Sequence, residues 1–445
     1  MFISARSASL VGCLLAAAGT TVGQATQRAA FVANNGNVEG SVAAYTFDPS
    51  GVPVFVGKYV TGAGSGSPGN NAYAISLTPS GEYLITTHAT AASVNEQISM
   101  FRVNADATLT PVGTFQTPDS PLGAAWVTDT LLAVTLTKTS AANKVIMYRF
   151  DEQAMSLTEI ERYDTGNFSS YLAVHPSREY VYVQDSPLFG GGYTIRTFRV
   201  EASGELTEIG MAFTDPTYAL GMGVTPDGRR VYAGGGISNG GNAVVGLDIL
   251  PDGTLSMNWS GPWISPGSSP SPKQAVATPD GAYLFVGHGS SAAVRSFAID
   301  AATGSLTDTG FAFDVGGTGD LGGVAVLGEW VLFTRKYSGS STGPSGLFSF
   351  TVQPDGSFTP NGGVVGSQGS LPQYIAAWDP TGAICYANCD DSTAAPVLNV
   401  ADFTCFLQRF AAGESYANCD GSTEPPLLNV ADFTCFLQRF AAGCP

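Results

Sequence analysis

Gly223-Val-Thr-Pro226-Asp-Gly-Arg-Arg-Val-Tyr232 is the stretch on which the fold turns: an apolar strand, a Pro-Asp-Gly turn and a second apolar strand. Proline presets the backbone of a tight turn, and glycine supplies the left-handed residue such a turn needs. The phrase recurs at Ser76-Leu-Thr-Pro79-Ser-Gly-Glu-Tyr-Leu-Ile-Thr86, Ala173-Val-His-Pro176-Ser-Arg-Glu-Tyr-Val-Tyr-Val183 and Ala277-Thr-Pro279-Asp-Gly-Ala-Tyr-Leu-Phe-Val286. Pro176, Pro226 and Pro279 lie 50 and 53 residues apart, and the gaps Pro79 to Pro176 and Pro279 to Pro380 are about double. Shortened copies fill both gaps, at Trp126-Val-Thr-Asp-Thr-Leu-Leu-Ala-Val134 and Val326-Leu-Gly-Glu-Trp-Val-Leu-Phe333, which makes seven units.

A second phrase follows each first one. Ile195-Arg-Thr-Phe-Arg-Val-Glu-Ala-Ser-Gly-Glu-Leu-Thr207 is an example, and others begin at Val42, Ile98, Val145, Val244, Val294 and Leu347. Alternating apolar residues around Gly/Asp turns predict hairpins, and two hairpins per unit predict a four-stranded blade. The chain enters mid-unit with Ala30-Phe-Val-Ala-Asn34. It leaves the repeats on Gln373–Trp378, whose turn Asp379-Pro380-Thr-Gly382 has no partner strand after it. The last strand is therefore expected to complete the first blade, which removes two exposed sheet edges. The expected fold is all-β, a seven-bladed β-propeller over residues 28–382 closed by its terminal strands.

With 445 residues there is room for one large domain and a small appendage. Nineteen Lys and Arg stand against 36 Asp and Glu, a net charge of −17. That balance excludes a nucleic-acid partner, which needs a basic face to displace counterions. Arg6, the apolar run Leu10 to Ala18 and the small residues Gly23 and Ala25 read as a signal peptide over residues 1–25, so the protein is expected to be secreted, extracellular or at the cell surface. Leu10-Val-Gly-Cys13 has the look of a lipoprotein box; the competing reading is a Cys13 discarded with the leader. The run is too short to span a bilayer, and no membrane span is expected elsewhere.

The repeats resemble the lactonase family of seven-bladed propellers, which includes 6-phosphogluconolactonases and carboxymuconate cyclases. The resemblance covers about residues 28–382 and rests on the Thr-Pro-Asp-Gly turns and on Ser296-Phe-Ala-Ile-Asp-Ala-Ala-Thr-Gly304. It implies a channel mouth where His, Arg and Glu converge on a sugar or organic-acid lactone. The Pro-His pair common on the family's innermost strands is missing. His175 replaces the Thr of sibling turns and is expected to cap one, and His88 and His288 are expected to pack or face solvent. Lys273, Arg335, Lys336 and Arg196 are candidate cations and Glu329 and Asp320 candidate carboxylates, each with a plain blade-surface role as its alternative. No catalytic set is assigned. The propeller is read as a binding or scaffold domain, with lactone hydrolysis as the alternative.

Residues 385–445 form a second module. Tyr386–Gly413 and Tyr416–Gly443 are near-identical copies, each an oxygen-rich loop followed by an amphipathic stretch with Phe403, Phe406, Leu407 and Phe410, or Phe433, Phe436, Leu437 and Phe440, on one face. The copies resemble dockerins, the duplicated EF-hand-like modules of secreted assemblies. That resemblance implies calcium held by Asn388, Asp390, Ser392, Asn399 and Asp402, and by Asn418, Asp420, Ser422, Asn429 and Asp432. It also implies attachment to a surface or a cohesin-like scaffold protein. The loops depart from the pattern: Thr393 and Thr423 replace the central Gly, Asn388 and Asn418 the opening Asp, and prolines such as Pro396 lengthen them. Cys389 with Cys405 and Cys419 with Cys435 repeat with the duplication and are the first pairing to expect, leaving Cys385 with Cys444 to clasp the ends. Other pairings stay open. A purely disulfide-held module without metal is the competing reading, and the lack of His argues against zinc.

Overall fold

The computed structural model describes residues 27–36, 40–61, 72–88, 97–136, 144–165, 169–185, 194–213, 219–235, 243–256, 263–264, 272–288, 293–314, 320–336, 345–380, 387–390, 398–413, 417, 419, 426 and 428–442. The signal-peptide reading, Ser392, Asn418, Asp420, Ser422, Cys385 and Cys444 lie outside them.

Seven antiparallel sheets radiate from a channel. Their innermost strands, in ring order, are Pro372–Trp378 (blade I), Ala72–Leu77 (II), Pro121–Trp126 (III), Ser169–Val174 (IV), Ala219–Val224 (V), Pro272–Ala277 (VI) and Asp320–Leu327 (VII). Blade I is built from both ends of the repeats. Its last-made strand pairs with Ala29–Asn35, with Phe31 opposite Ala376 and Val32 opposite Ile375. All seven residues of Ala29–Asn35 are buried. Arg28 fastens the joint from outside: it donates to Asp379 at 3.0 Å and to Glu329 at 2.7 Å, and lies 4.6 Å over the Trp330 ring of blade VII.

The recurring turn is held by its own side chains. In blade V the Thr225 hydroxyl accepts from the Arg230 amide at 3.1 Å and donates to Asp227 at 2.6 Å. Thr78, Thr128 and Thr278 accept the corresponding amide at 3.0 Å each. Gly228 stands at φ 68°, the left-handed region where a Cβ is costly. Blade IV substitutes both key residues. His175 Nδ1 accepts from the Ser177 amide at 3.0 Å, so Nε2 carries the proton and donates to the Gly228 carbonyl of blade V at 2.9 Å. His175 is thus a turn cap, as its place among threonines predicted, and it also ties two blades. Arg178 takes the left-handed position at φ 68°.

Apolar layers fill the space between neighbouring blades. Phe31, Leu84, Phe101 and Trp378 pack between I and II, and Phe285, Phe333 and Phe350 between VI and VII. At the other end of the blades a hydroxyl takes over this task. Thr87, Thr135 and Thr334 occupy the fifth position of their blades' second strands. Each accepts an innermost-strand amide of its own blade and donates to an innermost-strand carbonyl of the next: Ala74 and Leu122, Gly123 and Ser170, Gly323 and Gln373.

In the C-terminal module the helices Val400–Ala412 and Val430–Ala442 face each other through Phe406 and Phe436, fully buried and stacked at 4.1 Å. The disulfides Cys389–Cys405 and Cys419–Cys435 link each loop to its helix, the pairing expected from the duplication. No helix among the described residues is long and apolar enough to cross a membrane.

Candidate functional site

In a sheet that runs antiparallel from axis to rim, two sets of connections emerge at opposite ends of the channel. The Thr-Pro-Asp-Gly turns mark one end. The other end is set apart by a defect repeated in every blade. Pairing of the innermost strand slips between Ala72 and Ile75, Pro121 and Ala124, Ser169 and Leu172, Ala219 and Gly221, Pro272 and Gln274, and Leu321 and Val324. In blade I it lies between Pro372 and Ile375, which pair with Asn34 and Val32. A bulge re-aims the residues it contains. Here it does so at one level in seven strands.

Tyr73, Tyr171 and Tyr374 come from this level in blades II, IV and I, and they meet. The Tyr73 and Tyr171 hydroxyls are 2.9 Å apart, and the Tyr374 hydroxyl donates to that of Tyr171. Ring centroids of Tyr73 and Tyr171 lie 5.3 and 5.7 Å from Tyr374, both edge-on. Blade IV is not a neighbour of I or II, so Tyr171 reaches across the channel. Burial, then the neighbouring phenols, hold the Tyr171 hydroxyl well above the usual phenol range; burial does the same for Tyr374. Tyr171 and Tyr374 are therefore neutral at any physiological pH. The trio offers hydrogen bonds and ring edges.

The second strands are mostly polar beside the bulges, where they carry Asn34, His88, Asp185, His288 and Arg335, all buried; blade III has the buried Leu136 there. Arg196 donates to the fully buried Asp185 at 2.5 Å, to Glu208 at 2.9 Å and to the Thr165 carbonyl at 2.7 Å. Burial would lower the Arg196 pKa, but the bonds to Asp185 and Glu208 outweigh it and raise it. The Ser170 hydroxyl, beside Tyr171, donates to Gln184 at 2.6 Å. His88 contacts the Ser99 hydroxyl at 2.9 Å, and burial pushes its pKa down to about 4, so it is neutral. Backbones approach closely here: a Cβ on Gly123 would lie 2.3 Å from the Ser170 carbonyl, and one on Gly323 would lie 2.9 Å from the Tyr374 Cα.

Of the propeller residues singled out from sequence, all but Glu329 and His175 lie at the bulged end, spread over several blades. Arg335 is buried at the bulged end of its strand, while Glu329 lies just beyond the opposite end, on Arg28. Lys273 is the residue at which blade VI slips, and Asp320 pairs with Lys336 at the same end of blade VII. Arg196 is bound to carboxylates in the wall. His288 is buried and His175 lies at the far end. The tyrosine trio was missed. Its signal was present: each tyrosine stands five or six residues before the turn proline of its repeat, at Pro79, Pro176 and Pro380.

Among the described residues no three His, Cys, Asp or Glu side chains gather as a metal site. In the first module copy Asn399 accepts from the Ala401 amide at 2.8 Å as a helix cap. The buried Asp402 accepts from the Asn399 amide at 2.8 Å and the Asp390 amide at 3.3 Å. Asn429 and Asp432 repeat the cap and the amide bond at 2.8 Å.

Comparison with known proteins places this geometry in a class. The model of the family "Lactonase, 7-bladed beta-propeller" matches residues 130–257, from the second strand of blade III to the outer strand of blade V. Among solved structures the chain is similar to a periplasmic gluconolactonase of Pseudomonas aeruginosa, with 16% identity, a TM-score of 0.60, and 79% of this chain and 98% of that one covered. It is also similar to a functionally unknown protein from Desulfotomaculum acetoxidans, with 14% identity, a TM-score of 0.58, and 80% and 99% covered. A putative 6-phosphogluconolactonase from Bacteroides fragilis follows, with 20% identity, a TM-score of 0.50, and 64% and 81% covered. At these identities the likeness is one of fold: a lactonase-like seven-bladed propeller. No curated protein matches the chain.

Proposed function

We propose that this chain is an exported propeller that binds a small, neutral, polyhydroxylated ring compound of the sugar-lactone class at the bulged mouth of its channel. The observation that carries the reading is the meeting of Tyr73, Tyr171 and Tyr374 at the level where all seven innermost strands slip. Neutral phenols beside Ser, Gln and Asn side chains suit a ligand rich in hydroxyl and carbonyl oxygens, and the net charge of −17 disfavours an anion. The described carboxylates Asp185 and Glu208 are already held by Arg196, which supports binding as the first reading.

Hydrolysis of the same lactone is the second reading, favoured by the family match over blades III to V and by the gluconolactonase neighbour. In it Lys273, at the slip of blade VI, would stabilise the negative charge that develops on the lactone carbonyl oxygen. Titrating the full chain with a monosaccharide δ-lactone, following heat for binding and acid release for turnover, separates the two. Heat without acid release beyond the spontaneous rate leaves the binding reading standing. Turnover that falls in Lys273→Ala establishes the second. Neither heat nor turnover sinks both.

The C-terminal module extends the proposal to calcium-dependent attachment to a surface or cohesin-like scaffold. What supports it is the Asp390 amide on the Asp402 carboxylate, which draws two of the oxygen-bearing residues of one loop together at a helix start. Calcium there would be held by Asn388, Asp390, Ser392, Asn399 and Asp402, and in the second copy by Asn418, Asp420, Ser422, Asn429 and Asp432. It would supply the positive charge that such an oxygen cluster needs.

A further inference from the structure

The two ends of the blades differ on either side of the tyrosine trio. Near the bulged end the second strands carry Asn34, His88, Asp185, His288 and Arg335, with Leu136 in blade III, and Gln184 and Gln373 have buried amide atoms with no hydrogen-bond partner among the described residues. At the turn end the innermost strands finish on Leu77, Trp126, Val174, Val224, Leu327 and Trp378, which belong to the apolar layers between blades. The trio comes from the bulge level, between these two ends. Tyr73 and Tyr171 are half-buried and Tyr374 is 6% exposed. Since Tyr171 comes from the opposite side of the ring, the three hydroxyls bridge the channel and do not merely line it.

We infer that the tyrosine trio is the floor of a one-ended cup, and that Tyr171 sets the length of ligand the cup admits. The inference rests on the reading above and goes beyond it by assigning the residue that limits size. A ligand entering from the bulged mouth meets the Tyr171 ring before it can pass toward the turn end, so a single sugar ring fits and a second ring joined end-on collides. Removing the phenol beyond Cβ opens the floor. Removing only the hydroxyl keeps the ring in place and loses the bonds to Tyr73 and Tyr374.

The test compares the full chain with Tyr171→Ala and Tyr171→Phe, each checked for native thermal unfolding, against a monosaccharide δ-lactone and the corresponding disaccharide lactone. The wild type is expected to prefer the shorter ligand by at least about tenfold, the usual scale of steric discrimination in a pocket. Tyr171→Ala should bring the two within about threefold of each other, and Tyr171→Phe should keep the wild-type ratio. An unchanged ratio in Tyr171→Ala, or an equal change in both variants, overturns the inference. If no protein binds either lactone, the lactone reading fails by itself. The floor is then judged by amide hydrogen exchange in Ser169–Val174 and Pro372–Trp378. Exchange faster in Tyr171→Ala and unchanged in Tyr171→Phe supports closure of the channel; unchanged exchange in both overturns it.

Discussion

His88 shows what a single position in this fold has to tolerate. It is fully buried between strands, it contacts the Ser99 hydroxyl, and burial lowers its pKa from 6.5 to about 4. Between those values the unfolded chain binds a proton that the folded chain refuses. Stability from this site is therefore complete above pH 6.5 and is lost as pH falls toward 4, a loss of roughly 3 kcal/mol. Urea unfolding at pH 7 and pH 4.5 checks this. The wild type should lose more stability between the two than His88→Gln, and equal losses would contradict the assignment. His175 instead lies in a turn against a carbonyl, and its role as a cap was legible from its place among threonines. The common place of the three tyrosines before a turn proline was legible, but their meeting was not. Tyr73 and Tyr171 are 98 residues apart and lie in non-adjacent blades, so only the closed ring brings their hydroxyls together.

At the scale of elements, the turn phrase carried most of the fold, because a Thr side chain, a Pro and a left-handed Gly each answer a local backbone demand. The bulges stayed hidden, since a register slip leaves no mark in the alternation of a six-residue strand. In the module the oxygen-rich loop pattern has two physical uses. Asn399 caps a helix and Asp402 closes the capping box. Asn399→Ala should therefore cost about 1 kcal/mol in the presence of a chelator. If calcium is bound, the full chain should also take it up in calorimetry, and Asp402→Ala should abolish uptake by that loop. Calorimetry showing no calcium heat leaves a module held by Cys389–Cys405, Cys419–Cys435 and the Phe406–Phe436 stack.

Over the whole molecule, stability depends on a joint between sequence-distant strands. Phe31 is fully buried opposite Ala376, so Phe31→Ala should remove about 3–5 kcal/mol from the entire propeller. The check is the urea midpoint, read by probes in blade I and in blade IV. Coincident shifts are expected, and a shift confined to blade I would show that the ring does not unfold as a unit. Seven repeats and an unpaired last strand made this closure readable before any coordinates. The contents of the channel were not readable, because they depend on which residues of a common position face one another across it.

The joint also sets an order of events during synthesis. A ribosome delivers Ala29–Asn35 first and Pro372–Trp378 last, so the opening strand waits with one apolar flank bare while almost every other blade is made. Until that final segment emerges, the growing chain presents an adhesive edge to its surroundings. The completed disc is thus a product of the finished polypeptide, and a chain broken off before Trp378 would seek its missing strand in another molecule.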